Sequence, residues 1–284
     1  IPEGATILQN PNGSAPGIFL ETQGKQVFLL PGPPHELEAM WDAVGLPLLK
    51  KEKPFQRQIF KIAMMAESKV DEVLQPVSQS LIDVSYTILA NIYEIEIHLF
   101  APEDAATELV SASAQVRAIL GNRIYTEQLE TLEEVVGRFL KKSGKTLATA
   151  ESCTGGMLGH RITQVPGSSA YYNRGAIVYS NQAKTEMLKI PSSLIEQNGA
   201  VSEPVAKAMA EQIRNIAGTD FGIGITGIAG PDGGTPEKPV GTVYIALSDS
   251  TGTSVQKFQF PGKRDRIKFA STQAALDMLR LKLL

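Results

Sequence analysis

The sequence predicts a mixed α/β protein in three parts: a partial α/β segment over residues 1–50, a small α+β domain of order β-α-β-β-α over 54–123, and a layered α/β sheet domain over 127–284. Three observations predict it. After Glu127, apolar runs of strand length alternate with segments of helical periodicity, the pattern of a sheet covered by helices. Arg57–Met65 alternates with period two and is followed by a helical repeat, two more strands and another helix. The first fifty residues hold one or two strands and a helix, too little apolar surface to close a core of their own.

The chain opens on Ile1-Pro-Glu-Gly with no initiator Met, and this first part reads as the end of a larger domain. Val27–Leu30 is a short strand stopped by Pro31-Gly-Pro-Pro34, and a helix is expected from His35 to Ala43. Glu36 in its first turn is accounted for by the helix dipole. An apolar face left open here predicts self-association, hence a homo-oligomer. Lys50–Pro54 reads as a charged, proline-ended linker. In the second part the helix is Ser68–Val77, the next strands Tyr86–Asn91 and Glu94–Phe100, and the last helix Ala105–Leu120. Between Pro54 and Arg123 there are five Lys or Arg against nine Asp or Glu and no Gly-X-X-Gly loop, so a spacer or interaction domain is expected and not an RNA clamp.

In the third part a helix over Leu129–Lys142 precedes a strand over Thr146–Glu151 and a helix over Gly155–Thr163. A strand over Ala176–Tyr179 and a helix over Asn181–Leu188 follow, with Asn181 as its cap. Ser202 is the expected cap of the next helix, which sets Val205, Met209, Ile213 and Ile216 on one face. Phe221–Thr226 and Thr242–Leu247 are strands apolar throughout, of the fully buried kind. Ser254–Phe260 is an edge strand, hairpin partner of the one before, which makes the sheet mixed; Arg264–Leu284 closes as an amphipathic helix.

Composition narrows the function. At 284 residues, 43% hydrophobic and a formal charge of −3, the chain is neither a disordered segment nor a basic nucleic-acid or anionic-lipid binder. Cys153, the only cysteine, cannot form an intrachain disulfide, and no signal peptide or membrane-length apolar run is present; a cytoplasmic protein is expected. No His/Cys cluster or acidic set stands at metal spacing, so chemistry without a metal or cofactor is expected.

The chemistry is placed in Thr146-Leu-Ala-Thr-Ala-Glu-Ser-Cys-Thr-Gly-Gly156, where a strand feeds a helix. Ser152 at that corner faces a helix N-terminus, whose unpaired N–H groups suit a phosphate or the oxyanion of an acyl transfer. The backbone N–H groups of Cys153, Thr154 and Gly155 are the natural oxyanion donors, with Gly156 completing the turn. Ser152 or Thr154 equally suits a plain helix cap. Cys153 is the rival nucleophile, but His160, its nearest histidine in sequence, is seven residues on, about 10 Å along a helix, so a small buried residue is expected there.

Four further segments stand in register with this one: Gly175-Ala-Ile-Val-Tyr-Ser-Asn-Gln-Ala-Lys184, Gly199-Ala-Val-Ser-Glu203, Gly224-Ile-Thr-Gly-Ile-Ala-Gly-Pro-Asp-Gly-Gly234 and Lys238-Pro-Val-Gly-Thr-Val243. Together they resemble the C-terminal, nicotinamide mononucleotide deamidase domain of the CinA family, from about Leu129 to the end. The resemblance implies a catalytic Ser152 and Lys184 assisted by Tyr179, a pyridine nucleotide as substrate, and Thr226, Gly227 and Gly230 at its ribose-phosphate end. Arg264 and Arg266 are expected to be solvated, with phosphate contact as the alternative, and Glu151 either senses the pyridinium ring or makes a buried hydrogen bond. The middle part is similar to the KH-like module of that family. Asn10–Gly17 and Leu30-Pro-Gly-Pro-Pro-His-Glu36 resemble the closing part of its molybdopterin-binding-like domain, associated with ADP-ribose pyrophosphatase activity. The glycine- and aspartate-containing half that precedes these motifs is absent from this sequence, so that activity is not expected. The alternative to an amidase is a non-catalytic module, linked to competence or DNA damage, that binds a nucleotide or a protein.

Overall fold

The computed structural model describes residues 1–49 and 55–284; the linker expected at Lys50–Pro54 lies outside the described residues. The chain divides into two compact units, Ile1–Pro54 and Phe55–Leu284. In the first, β1 (Thr6–Leu8), β2 (Gly17–Thr22) and β3 (Lys25–Leu29) form an antiparallel sheet, one strand more than the sequence suggests. Helix α1 (Pro34–Met40) runs through a π-turn into α2 (Leu46–Leu48). Met40 and Leu8 are buried, while Ile7, Leu29 and Leu46 are exposed. Glu36 accepts a hydrogen bond from Asn10 Nδ2, and Asn12 Nδ2 donates to the His35 carbonyl, so the helix start holds the Asn10–Asn12 turn.

The second unit begins with β4 (Phe55–Ala63), α3 (Glu67–Ser78), β5 (Ser85–Asn91), β6 (Glu94–Pro102) and α4 (Ala106–Leu120). A further strand, β7 (Ile124–Thr126), closes this sheet in the order β5-β6-β4-β7. Three residues after a helix give too short a period-two signal to be read. Alternation along β4 decides the packing: Phe60 and Ile62 join the core under α3 and α4, whereas Ala63 joins the core of the C-terminal part.

The C-terminal part comprises α5 (Leu132–Ser143), β8 (Leu147–Glu151), α6 (Met157–Gln164), β9 (Tyr172–Ile177), α7 (Asn181–Leu188), α8 (Ser192–Asn198), α9 (Glu203–Ala217), β10 (Phe221–Gly227), β11 (Thr242–Asp249), β12 (Gly252–Gln259) and α10 (Arg264–Leu283). Its sheet runs β12-β11-β10-β8-β9, with β8 parallel to both neighbours and β11 and β12 antiparallel, the mixed sheet expected from the hairpin. One face packs residues of α5, α6 and α10; the other packs α7, α8 and α9. Small residues on β8 and β10 let α9 approach closely. A Cβ on Gly224 would lie 2.6 Å from the Ala206 carbonyl oxygen and the Ala210 nitrogen. Gly224→Ala is therefore expected to cost about 1–3 kcal/mol or more, read as a lowered urea midpoint.

Five elements differ from expectation. Strand β9 starts at Tyr172 and ends at Ile177, so Tyr179 falls in the loop that follows. Helix α8 was not expected. Ser180, not Asn181, caps α7, its Oγ accepting from the Ala183 N–H; Ser202 makes no such bond for α9 and donates instead to the Gly199 carbonyl. Helix α10 is not amphipathic: Ala270–Arg280 is buried on every side, Gln273, Asp277 and Arg280 included, because the helix lies between α5 and β11 and also meets β4.

Candidate active site

Ser152 sits where β8 ends, and its N–H donates to the Ile225 carbonyl of β10 at 2.9 Å. The chain leaves β8 towards β9 on one side, while β10 leads to β11 on the other. The crevice between two such strand ends is the usual ligand position in an open α/β sheet. Ser152, Thr226 and the loop after β9 converge there because β9 and β10 both run parallel to β8 and end level with it, Ile177 and Ile225 pairing with Glu151.

The turn after Ser152 needs glycine. Gly155 and Gly156 have φ of +62° and +93°, left-handed values that an L side chain resists. The N-terminus of α6 is not open to a ligand as expected, however. Glu151, 2% exposed, accepts from the N–H groups of Gly156 (3.1 Å), Leu158 (3.0 Å) and Gly159 (2.8 Å). Of the two roles expected for Glu151, the buried structural hydrogen bond is the one its geometry fulfils. The Gly155 N–H is also engaged, donating to the Ser152 carbonyl at 3.1 Å. The N–H groups of Cys153 and Thr154 have no carbonyl partner among the described residues, and the buried Thr154 Oγ1 has no hydrogen bond at all.

Lys184 approaches from α7. Its side chain is 1% exposed, and Nζ lies 3.2 Å from Ser152 Oγ, 3.0 Å from the Val178 carbonyl and 3.4 Å from that of Tyr179. No carboxylate pairs with it among the described residues. Burial pushes its pKa below the ordinary lysine value, with the neighbouring Cys153 thiol acting weakly the other way. Three oxygens surround the amine: two carbonyls that only accept, and the Ser152 hydroxyl, which can accept from it or donate to it. Cys153 Sγ is buried and its pKa is pushed up to about 12, chiefly by desolvation, so it is a packed thiol and not a ready thiolate.

Tyr179 is brought to the site by its backbone. Its ring is 61% exposed, and its hydroxyl accepts from Arg264 Nη2 at 3.0 Å, with no hydrogen bond to Ser152 or Lys184. Arg264, exposed as expected, also donates to the Gly230 carbonyl at 2.8 Å, so the head of α10 ties the loop after β10 to Tyr179. Thr226 Oγ1 donates to the Ala200 carbonyl, and Lys238 Nζ to those of Val201 and Asn198. The segments Gly199–Glu203 and Lys238–Val243 are thus the two walls of one loop system that also holds Gly227 and Gly230. Lys268 was not singled out in the sequence. Its Nζ stands 3.7 Å from where a Cβ on Gly155 would be, without an ion-pair partner among the described residues. Helical spacing from Arg264 places it one turn on, the signal that could have found it.

Among the described residues no cluster of His, Cys, Asp or Glu could hold a metal ion, and no helix is long and apolar enough to cross a membrane. The cavities described lie elsewhere, including one of about 410 Å³ lined by Gly137, Arg138 and Tyr171 and one of about 330 Å³ between α7 and α8 lined by Gln182, Glu186 and Ile195.

Residues 129–283 match the family model of the CinA C-terminal domain. A CinA-like protein of Koribacter versatilis is 44% identical over 99% of this chain and 70% of its own length; one from Geotalea uraniireducens is 40% identical over 100% and 70%. Among solved structures, a CinA superfamily protein of Klebsiella pneumoniae superposes with a TM-score of 0.52 at 34% identity, covering 54% of this chain and 95% of that one. The competence/damage inducible protein CihA of Agrobacterium tumefaciens gives 0.51 at 34%, covering 56% and 99%. The chain belongs to the CinA family.

Proposed function

We propose that the C-terminal part is an amidase that converts nicotinamide mononucleotide to nicotinate mononucleotide and ammonia. One observation carries the reading: a buried lysine without a carboxylate partner among the described residues, 3.2 Å from a serine hydroxyl at the end of β8, between its two parallel neighbours in the mixed sheet. An amide is a poor electrophile, and its hydrolysis needs an activated hydroxyl, a seat for the oxyanion and a proton for the leaving nitrogen. Neutral Lys184 takes the Ser152 proton as Oγ attacks the amide carbon. The oxyanion is received by the N–H groups of Cys153 and Thr154. The Lys184 ammonium then protonates the departing nitrogen, and ammonia leaves an ester on Ser152. Water attacks that ester with Lys184 again as base, releasing the carboxylate and restoring the hydroxyl. Tyr179 contributes its carbonyl, which aims the amine, while its ring and Arg264 border the entrance.

Arg264 and Lys268 bring positive charge to one side of the crevice, where it complements the phosphate; Gly227 and Gly230 offer backbone to the ribose, while Thr226, buried with its hydroxyl on the Ala200 carbonyl, holds the loop in place. Lys268→Ala is expected to raise KM for the mononucleotide about tenfold, the worth of one charge-assisted hydrogen bond, with kcat nearly unchanged. The same variant should treat the dephosphorylated riboside as the unmodified chain does; steady-state kinetics on both compounds checks this.

The reading is tested by acid-quenching the chain during turnover and mapping peptides by mass spectrometry. An adduct equal to substrate minus ammonia on the peptide containing Ser152 is expected. Turnover with an adduct elsewhere, or with none under conditions that preserve esters, would count against the acyl-enzyme.

A further inference from the structure

The first part of the second unit has a role at this site that its charge and motifs do not disclose. The two-residue turn between β5 and β6 is Ile92-Tyr93, and both side chains pack against the C-terminal core. Tyr93 has φ of +54°, and Met64, whose N–H donates to the Tyr93 carbonyl at 3.0 Å, has φ of +58°. Two residues with side chains, hydrogen-bonded to each other and both in the left-handed region, mark a place where local preference yields to a tertiary requirement. Glycine or asparagine would relieve the turn but offer no ring.

The ring is what meets the C-terminal part. It meets Phe260 edge to face, centroids 5.3 Å apart, and burial raises the hydroxyl's pKa while nearby Arg266 opposes that rise. Phe260 N–H donates to the Gly241 carbonyl at 2.9 Å, and Gly241 N–H to the Ile228 carbonyl at 2.7 Å. Ile228 and Gly241 are the two ends of the loop that carries Gly230. Beyond Phe260 the chain enters α10, where Arg264 holds Gly230 and Tyr179. One aromatic contact therefore supports both the base of the loop and the segment leading to the arginine that closes over it.

We propose that Tyr93 is a positioning residue for the site, and that the β5–β6 hairpin braces the Ile228–Gly241 loop. Its kinetic consequence rests on the amidase reading; the bracing itself does not. The full chain is compared with Tyr93→Ala, Tyr93→Gly and Tyr93→Phe by amide hydrogen exchange and by steady-state kinetics. Glycine removes the ring while relieving the turn, which keeps one ring-less variant folded. Protection of the Ile228 and Gly241 amides should fall about tenfold in the alanine and glycine variants and stay unchanged in phenylalanine. Amides of Leu147–Glu151 should keep theirs. KM should rise about 5- to 10-fold in the ring-less variants with a smaller change in kcat, and phenylalanine should restore it. Unaltered loop protection in Tyr93→Gly, or a loss shared equally by Leu147–Glu151, overturns the proposal. Loosened loop amides in a chain that does not turn over the nucleotide at all would keep the brace and defeat the amidase.

Discussion

Lys184→Met is expected to abolish amide hydrolysis, by on the order of 10⁴-fold or more, and to raise the melting temperature of the folded chain. The two effects have one cause. Burial depresses the Lys184 pKa, so the folded chain carries the charged form at a cost that the unfolded chain does not bear. Between the folded and the unfolded pKa values the unfolded chain binds the extra proton, and stability rises with pH. The handicap is fully present below the folded value and is gone above the unfolded value of about 10.4. Methionine has a similar length, fills the site and carries no charge, so Tm at pH 7 should rise by roughly 2–4 °C for a unit of this size. The gap between variant and unmodified chain should narrow as pH rises. For the same reason kcat/KM of the unmodified chain should climb with pH through the Lys184 titration, since only the neutral amine accepts the serine proton. Scanning calorimetry and pH–rate profiles check both arms. A Lys184→Met chain that is less stable at every pH would show that the amine serves as a structural donor to Val178 and Tyr179.

Glu151→Ala is expected to lose about 3–5 kcal/mol of stability and to disorganise the Ser152 turn. The carboxylate accepts three backbone N–H groups at the start of α6 while buried, and its removal leaves these donors without partners at the positive end of the helix. Glu151→Gln should fall between, because one amide oxygen still accepts while its NH₂ opposes the remaining donor. Urea unfolding measures the loss. A neutral effect of Glu151→Ala would mean that the helix start recruits other acceptors and that the turn does not depend on this residue.

What was legible before the structure follows from the range of each signal. The buried strands Phe221–Gly227 and Thr242–Asp249, the edge strand and α7 carry their signals in seven or eight consecutive residues, and they appear nearly where expected. Ser152 and Lys184 were legible as a pair through the resemblance, and the structure places them within reach of each other. The capture of the α6 N-terminus by Glu151 was not legible, because which acceptor satisfies a helix start depends on the strand and helix meeting in space. Nor was the burial of α10 around its whole circumference, which requires a second packing partner supplied by β4. The hydroxyl of Tyr179 turns away from the amine for a comparable reason: β9 ends at Ile177, two residues earlier than the apolar pattern implied, and Arg264 then claims the ring's oxygen.

The most direct test of the amidase is ammonia release from nicotinamide mononucleotide by the unmodified chain, Ser152→Ala and Cys153→Ala, with EDTA present throughout. Release by the unmodified chain, its loss in Ser152→Ala and its survival in Cys153→Ala are the predicted results. Equal release by Ser152→Ala, or none by an unmodified chain that still binds the nucleotide, would contradict the Ser152–Lys184 mechanism.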